Sequence, residues 1–541
     1  MKNIFTLEFS IDNRRLQSMH GYIERFALPL LLGLLVAISV LTFVQHLNNG
    51  LGLAYNDARS HLDIGRRVVE GLKPGLAQLG SVWLPLPHLL MVPTIWNDFM
   101  WHSGLAGALL SMVSFVATGI VIYLFLKRLG VGVLGSVFGV VVFVANINVL
   151  YLQSTAMTEL LLLATMTVGI YKLVSWHRDN SIISLVHAAF FIMLSTLVRY
   201  EGWFLLFVAS GLILFRTIRT RGYKTAEGTV ILFGTLAAFG IALWLLWNLL
   251  IFKDPLYFAL GPFSARAQQA QLEQAGNLIT KGNFWLSFQT YMYALIFNSY
   301  MYQVIMGAIG AVVLWSDKKI PAGVRIASTA LFAPFFFNIL ALYLGHSVLF
   351  IQGINGDTWF NARYGVMMMP SIAIFIGYLV HRAATLRWVI IGLLTFVLFF
   401  AFANGDAVTI DDARVGSSQK NVSEVSGYLK EHATGEKGFI LISAASHDAI
   451  IFSSGLPMKR FIHEGTGAYW ESATTSPDRW ARWIVMRTND VNDLTWKAVS
   501  VVPTFLERYT RVAEYPFADV YELHPEWLPA LQTEPVLKQH K

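Results

Sequence analysis

Acidic and basic side chains stand at the ends of several apolar stretches, where they could act together on one substrate. The clearest are Asp57 in the motif YNDAR, Glu159 in MTE, Arg199 and Glu201 in LVRYEG, and Arg363 in NARY. A carboxylate within hydrogen-bond reach of a hydroxyl can take its proton as a new bond forms. An arginine beside it can hold a phosphate through paired N–H donors. The combination indicates chemistry on a phosphorylated substrate.

The sequence that carries these residues is mostly apolar. Hydrophobic residues make up 55% of its 541 residues and charged residues 13%, and the mean hydropathy is +0.54. This composition is typical of polytopic membrane proteins. The formal net charge of +7 does not indicate a nucleic-acid partner, because Lys and Arg form short clusters between apolar stretches. The sequence has no cysteine, which excludes structural disulfides and Cys-ligated zinc.

Apolar stretches long enough to cross a membrane recur over the first three quarters of the chain. The first follows the basic residues Lys2, Arg14, Arg15 and Arg25. It is longer than a signal-peptide core and lacks a clear cleavage site, which indicates an uncleaved signal anchor. At about 20 apolar residues per crossing, the sequence predicts eleven spans, near 26–47, 103–126, 131–151, 155–175, 182–199, 201–216, 228–252, 291–315, 326–346, 363–380 and 388–403.

The distribution of Lys and Arg orients these spans. With the N-terminus in the cytoplasm, each cytoplasmic loop is basic, as the positive-inside rule expects. The assignment interprets residues 199–201 as a tight outer turn between two short spans. It predicts a multi-pass protein of the plasma (inner) membrane, in contact with membrane lipids. Its outer side would hold the loops 48–102, 253–290 and 347–362 and the segment 404–541.

This last segment differs in composition from the spans. It alternates strand-like runs with polar helical stretches, which predicts a small α/β domain. The strand-like runs are 439–443, 483–487, 509–515 and 519–523, and the helical stretches include 422–431 and 494–501. We therefore expect a transmembrane domain over 1–403, which holds the candidate site, and a soluble extracytoplasmic α/β domain over 404–541. Its adjacent residues Ser446, His447 and Asp448 do not make a catalytic triad by adjacency alone, so we expect a lid or acceptor-binding role.

The first outer loop has the densest polar sequence between spans. Asp57 opens an amphipathic helix whose apolar stripe includes Ile64, Val68 and Leu72, and such a helix is expected to lie along a membrane surface. The WLPLP run at 83–87 is incompatible with ordinary helix interior. It predicts a rigid turn that closes the loop.

Each candidate residue also has a structural interpretation. Asp57 could cap the helix that begins beside it, and Glu159 could be a first-turn acid favoured by the helix dipole. Arg199 and Arg363 could be interfacial anchors whose stems cover apolar surface. The topology nevertheless places all four at the outer ends of spans. This shared placement is what indicates a site.

At these motifs the chain resembles the polyprenyl-phosphate-sugar-dependent membrane glycosyltransferases of the GT-C class. The resemblance is to relatives of protein O-mannosyltransferases and lipid A aminoarabinose transferases, in glycosyltransferase family 39. Residues 55–59 are similar to the acidic motif after the first membrane helix, and 83–87 to the Pro-rich end of the first outer loop. Residues 157–159 resemble the motif that brings a second acid, and 196–203 and 362–364 resemble later motifs with arginine.

The resemblance implies a GT-C fold and transfer of a sugar on the extracytoplasmic face, within the cell envelope. The donor would be a hexose or pentose on a polyprenyl phosphate or diphosphate, and the acceptor a lipid, a glycan or a protein. Asp57 would be the base, and a single displacement would invert the anomeric configuration. Because the leaving group is a phosphate, Arg199 or Arg363 could stabilise its charge. Glu159 would orient the acceptor, position Arg199 or help to bind a cation.

These expectations define a set of candidate site residues. Asp57 and Glu159 are the catalytic candidates. A hard divalent cation such as Mg²⁺ or Mn²⁺ could also bind these two carboxylates, although no metal-specific spacing is present and no cofactor is certain. The histidines of the set are better explained by hydrogen bonding or an interfacial position than by catalysis. The substrate-binding candidates are Arg59, His61, His88, Arg199, Glu201, Arg363 and Tyr364.

Two other functions remain open from the sequence. A transporter or flippase of a lipid-linked glycan would place polar groups near the midplane of the membrane, often in two repeats. The candidate residues lie instead at span ends, and the sequence shows no repeat. A non-catalytic membrane assembly protein could retain the same core. Covalent transfer of a sugar separates the enzyme from both alternatives.

Overall fold

The computed structural model describes residues 13–262, 264–415 and 419–536, so Lys2 of the predicted N-terminal basic cluster lies outside the described residues. The helices of the first half are α1 (Asn13–Asn48), α2 (Asn56–Val69), α3 (Leu86–Ile95), α4 (Asp98–His102), α5 (Leu105–Arg128), α6 (Val133–Val144), α7 (Ile147–Leu152), α8 (Glu159–Asp179), α9 (Ile182–Thr196), α10 (Glu201–Arg221), α11 (Tyr223–Phe252), α12 (Tyr257–Leu260) and α13 (Ala265–Gln274).

The second half combines further membrane helices with the helices of the C-terminal domain. They are α14 (Phe284–Ser299), α15 (Met301–Ser316), α16 (Ala322–Ala327), α17 (Ala333–Tyr343), α18 (Met369–Arg382), α19 (Arg387–Asn404), α20 (Val408–Val415), α21 (Gln419–Ala433), α22 (Ala444–Ser454), α23 (Ala468–Thr475), α24 (Pro477–Trp480), α25 (Leu494–Val499) and α26 (Pro503–Arg508). A 3₁₀ segment, Ala362–Met368, leads into α18.

Helices lie at all eleven predicted spans, and within the described ranges eight helical segments are long and apolar enough to cross a membrane. The other three predicted spans differ from a single long helix. α6 and α9 have only 12 and 15 residues, and α6 stops where the Asn146 side chain caps the start of α7. The span 291–315 is the pair α14 and α15, bent by 106° at Tyr300, whose φ is 61°. The predicted tight turn at 199–201 is confirmed between α9 and α10.

Burial separates central from peripheral membrane helices. In the most apolar 18-residue stretch of α8, 78% of the residues are buried. In the corresponding stretch of the segment Ala362–Arg382, 89% are buried. In the corresponding stretches of α1, α11 and the segment Ala384–Val415, only 22% of the residues are buried. Large exposed apolar side chains, such as Leu41 on α1 and Phe399 on α19, suit a lipid environment rather than water. The chain is a polytopic helical membrane protein whose middle helices form its core.

The helix α2 is covered by other parts of the protein, and its position along a membrane surface stays a prediction. Residues 58–66 are buried, with α3 packed on one side and α22 of the C-terminal domain on another. The helix ends at Val69, and Leu72 packs beyond it against the apolar core of the C-terminal domain. The cover of α2 comes from a segment almost 400 residues later, which helical periodicity does not reveal.

The C-terminal domain contains one mixed sheet, which confirms the predicted α/β class. Its strand order is β2-β1-β3-β5-β4, with β1 parallel to β2 and β3 and β5 antiparallel to β3 and β4. Four strands coincide with the predicted runs, and the two-residue β2 was too short to predict. The strands are β1 (Phe439–Ile442), β2 (Phe461–Ile462), β3 (Ala481–Met486), β4 (Tyr509–Ala513) and β5 (Asp519–Leu523).

Candidate active site

Two carboxylates from distant parts of the chain meet on one guanidinium. Arg363 Nη2 donates to Asp57 Oδ2 at 2.6 Å, and Arg363 Nε donates to Glu159 Oε1 at 3.0 Å. Asp57 lies in the first turn of α2, Glu159 is the first residue of α8, and Arg363 lies in the 3₁₀ segment before α18. Each residue thus stands at a helix end, where side chains from separate helices can converge.

A second arginine extends this arrangement. Arg199, in the turn between α9 and α10, donates from Nη1 to Glu159 Oε1 at 3.2 Å and from Nη2 to Glu201 Oε1 at 3.1 Å. The ring of Tyr364 lies 5.0 Å from the Arg199 guanidinium carbon and 5.4 Å from that of Arg363. Burial lowers the pKa of Arg199, but Glu201 and Glu159 outweigh it and hold the pKa above its usual range. The guanidinium stays charged.

One member of the group was missed in the sequence. Asp412 of α20 brings Oδ2 to 3.7 Å from Arg363 Nη1, and the same oxygen accepts a hydrogen bond from the Tyr55 hydroxyl at 3.0 Å. Asp412 lies nine residues after the last predicted span, which ends at 403, and in the predicted topology it is on the outer side. The rule that selected the other span-end acids could therefore have included it. Together these residues form a charge network, which comprises Asp57, Glu159, Arg199, Glu201, Arg363, Tyr364 and Asp412.

The carboxylates of the charge network differ in access. The side chain of Asp57 is 42% exposed, whereas that of Glu159 is 0% exposed. Glu159 Oε2 is buried and has no hydrogen-bond partner among the described residues. Asp57 can therefore meet an incoming molecule directly. Glu159 is placed to hold the two arginines.

The two candidate histidines form a pair beside the network. His61 Nδ1 lies 2.9 Å from His88 Nε2, and the His61 ring packs on Trp83 with 4.4 Å between ring centroids. Burial, with the charges of Arg199 and Arg363, lowers the pKa of His61 to about 3. The His61 imidazole is neutral at physiological pH and supplies no positive charge for a phosphate. Substrate binding by the pair stays a prediction.

Arg59 binds the backbone that precedes α2. Its Nε donates to the carbonyl oxygen of Leu53 at 3.0 Å, and the residue is buried. Burial lowers its pKa to about 10, and Asp63 opposes this shift. In this position Arg59 fixes the chain ahead of α2. Its predicted contact with substrate stays a prediction.

The carboxylates proposed for a metal do not fit a preformed metal site. The Arg363 guanidinium stands between Asp57 and Glu159 and binds both. Among residues 13–262, 264–415 and 419–536, no group of three or more His, Asp or Glu side chains could hold a metal ion. A divalent cation would have to displace Arg363 to reach both carboxylates. Binding of Mg²⁺ or Mn²⁺ therefore stays a prediction.

Comparison with known proteins identifies the fold. No protein-family model matches the sequence, and no curated protein matches it. Among solved structures, ArnT from Cupriavidus metallidurans bound to undecaprenyl phosphate aligns with a TM-score of 0.53 and 12% identity, over 90% of this chain and 98% of ArnT. The same ArnT in the apo state gives a TM-score of 0.52 and 13% identity, over 89% and 97% of the two chains.

A second kind of protein shares the architecture. The oligosaccharyltransferase from Archaeoglobus fulgidus, in complex with Zn and sulfate, aligns with a TM-score of 0.50 and 10% identity, over 84% of this chain and 67% of that one. At such low identity the similarity defines the fold and not the reaction. The chain has the GT-C fold, as its motifs predicted. The charge network is the feature of the molecule that bears on its function.

Proposed function

We propose that this protein is an integral-membrane glycosyltransferase that moves a sugar from a polyprenyl-phosphate-type donor to a hydroxyl acceptor. One observation carries the proposal. The exposed carboxylate of Asp57 forms an ion pair with the buried Arg363, and Glu159 binds the same guanidinium through another nitrogen. This is a base beside a preorganised cation. The GT-C fold supports the proposal, and one protein with this fold, ArnT, was solved with undecaprenyl phosphate bound.

The reaction that suits this geometry is a single displacement. The acceptor hydroxyl oxygen forms a bond to the anomeric carbon while Asp57 takes the hydroxyl proton. The bond from the anomeric carbon to the phosphate oxygen breaks, and its electron pair leaves with the phosphate. Attack opposite the leaving group inverts the anomeric configuration. The acceptor is a lipid, a glycan or a protein.

Arg363 links the two halves of this reaction. Before transfer, its Nη2 is paired with the ionised Asp57. When Asp57 takes the proton, that carboxylate loses its charge, and the attraction of Arg363 for it weakens. The leaving phosphate gains negative charge at the same moment. Arg363 can then stabilise the phosphate without prior loss of its partner, as electrostatic catalysis requires.

The other members of the charge network hold this centre in place. Glu159 Oε1 accepts hydrogen bonds from both arginines, and Glu201 binds the far side of Arg199. Arg199 is the second cation available to the donor phosphate. Tyr364 covers both guanidinium groups, as aromatic rings commonly do for arginine.

The membrane orientation belongs to the same proposal. We place the N-terminus in the cytoplasm of a bacterial or archaeal plasma membrane, and the charge network and the C-terminal domain on the extracytoplasmic side. The basic cytoplasmic loops support this orientation. The division into a catalytic domain over 1–403 and an extracytoplasmic domain over 404–541 follows from it.

The decisive experiment is transfer of labelled sugar by the purified protein, with wild type compared with Asp57→Asn. A panel of polyprenyl-phosphate sugars serves as donors and native membrane extract as acceptor. We expect product from wild type and a loss of about a thousandfold or more in Asp57→Asn, within the range of general-base effects. Equal melting temperatures would show that Asp57→Asn is folded.

Two results would contradict the proposal. Near-normal transfer by Asp57→Asn would remove its role as base. Absence of transfer by folded wild type across donors and acceptors would favour a transporter or an assembly protein.

A further inference from the structure

Arg363 faces a different carboxylate at each of its three guanidinium nitrogens. Nη2 binds Asp57 and Nε binds Glu159, and Nη1 lies 3.7 Å from Asp412 Oδ2. Asp57 lies in the first turn of α2 and Glu159 is the first residue of the membrane helix α8, whereas Asp412 lies in α20, which joins the last membrane helix to the C-terminal domain. We propose that Asp412 is a positioning residue for Arg363 and makes this connecting helix part of the reaction centre.

The Asp412 side chain is held in place by Tyr55. Asp412 is only 2% exposed, and the Tyr55 hydroxyl lies 3.0 Å from its Oδ2 and 2.8 Å from the carbonyl oxygen of Thr409 on the same helix. The Tyr55 ring lies 4.9 Å from the guanidinium carbon of Arg363. One tyrosine therefore touches the acid and the arginine together. It also stands two residues before the proposed base, Asp57.

The helix α20 is fastened to the membrane core rather than carried by a mobile connection. The backbone N–H and the hydroxyl of Thr409 both donate to Asn148 Oδ1, at 3.0 and 2.8 Å. Asn148 lies in α7 and donates in turn to the carbonyl oxygen of Asn298 at 3.1 Å. These groups are buried, and buried polar networks are costly to separate. The membrane core therefore fixes where Asp412 stands.

The role of Asp412 rests on the proposed function and has two parts. As an anchor, Asp412 keeps the Arg363 plane turned so that Nη2 faces Asp57, and charge stabilisation depends on such preorganisation. As a negative charge close to Arg363, it also weakens the attraction of Arg363 for a phosphate in the bound ground state. Removal of this charge alone therefore slows transfer and tightens phosphate binding. A residue needed only for folding would not produce this opposite pair of changes.

The test compares Asp412→Asn with Asp411→Asn in the full-length purified protein. Asp411 lies on the same helix and is exposed, so the control removes the same charge one residue away. Binding of undecaprenyl phosphate and transfer of labelled sugar are measured for each variant. We expect Asp412→Asn to bind the lipid phosphate about threefold more tightly and to lose about tenfold in kcat. We expect Asp411→Asn to match wild type in both.

Several outcomes would overturn this assignment. One is wild-type binding and kcat in Asp412→Asn, and another is a lower kcat with unchanged binding and a lower melting temperature. If Asp412→Asn does not fold, Tyr55→Phe takes its place, because it removes the hydroxyl that contacts Asp412 Oδ2 and the Thr409 carbonyl oxygen and keeps the ring. A loss of about threefold in kcat supports the assignment, and wild-type kcat overturns it. Wild type that binds no lipid phosphate contradicts the proposed function, and the assignment with it.

Discussion

The charge network and the pair His447 and Asp493 in the C-terminal domain differ in how their carboxylates are used. The side chains of His447 and Asp493 are both 0% exposed. Asp57, in contrast, binds Arg363 and leaves 42% of its side chain open. The donors that saturate the Asp493 carboxylate are His447 Nε2 and the backbone N–H groups of Arg487, Thr495 and Trp496. A saturated carboxylate stabilises a fold, whereas an open one can take a proton from a substrate.

The electrostatics of the C-terminal pair agree with a structural role. Burial raises the pKa of Asp493, but His447 and the backbone donors outweigh it and hold the pKa below its usual range. Asp448, adjacent to His447 in the sequence, does not pair with it. Asp448 meets Ser60 of α2 instead, and burial raises its pKa. The order Ser-His-Asp in the sequence is thus divided between two environments.

We expect the largest effect at Glu159, because this buried carboxylate holds the arginine that binds the exposed carboxylate of Asp57. Glu159→Gln removes the charge that both Arg199 and Arg363 bind at 3.2 and 3.0 Å. We expect kcat/KM for transfer to fall about a hundredfold, since displaced catalytic groups cost that much. The measurement is transfer per folded protein, with folding checked by size-exclusion chromatography. A loss below threefold would show that the arginines do not depend on this anchor.

A smaller effect is expected for Arg363, the cation that the open carboxylate binds. Arg363→Ala should weaken binding of undecaprenyl phosphate about tenfold, equivalent to about 1.4 kcal/mol. The matched control is Arg266→Ala, because Arg266 is an exposed arginine of α13, in a loop assigned to the same side. An unchanged titration curve for Arg363→Ala, or an equal loss in Arg266→Ala, would remove Arg363 from the phosphate site.

The smallest effect on transfer belongs to the saturated pair. We expect Asp493→Asn to leave transfer per folded protein unchanged and to lower the melting temperature by about 5 °C at pH 7, as loss of a buried charged hydrogen bond does. The folded pKa of Asp493 is lowered, so its stabilisation is present above the unfolded value of about 3.9 and is lost as the pH falls towards the folded value. The difference in melting temperature should therefore shrink below about pH 4. Reduced transfer at an unchanged melting temperature would make the pair functional.

The sequence predicted features that depend on local patterns. Apolar length and loop charge place helices at all eleven predicted spans and separate α9 from α10 at 199–201. Their position at the outer ends of predicted spans selected Asp57, Glu159, Arg199 and Arg363. The structure brings these four residues into one network. Their catalytic and binding roles remain proposals that the experiments above address. The order of the spans and the positions of their ends were sufficient to select these residues, because both can be predicted without knowledge of packing.

Features that depend on distant packing were not predictable. Tyr55 and Asp412 are 357 residues apart, and no periodicity links them. The 106° bend between α14 and α15 occurs at Tyr300, an aromatic residue in an apolar run and not a proline or glycine. The cover of α2 is α22 of the C-terminal domain, which the periodicity of α2 does not reveal. In each case the missing information was which surface a remote segment would occupy.

The burial of the segment Ala362–Arg382 has a consequence for how the protein is assembled. Because 89% of the residues in its most apolar stretch are buried, this segment meets little lipid. Its main neighbours, α6 and α15, both precede it in the chain. The ribosome therefore delivers the neighbours to the membrane before Arg363. An arginine is costly in a membrane without partners, and Asp57 and Glu159 have already been synthesised when it arrives. We expect the same charge pairing that prepares the reaction centre to help seat this late helix during biogenesis.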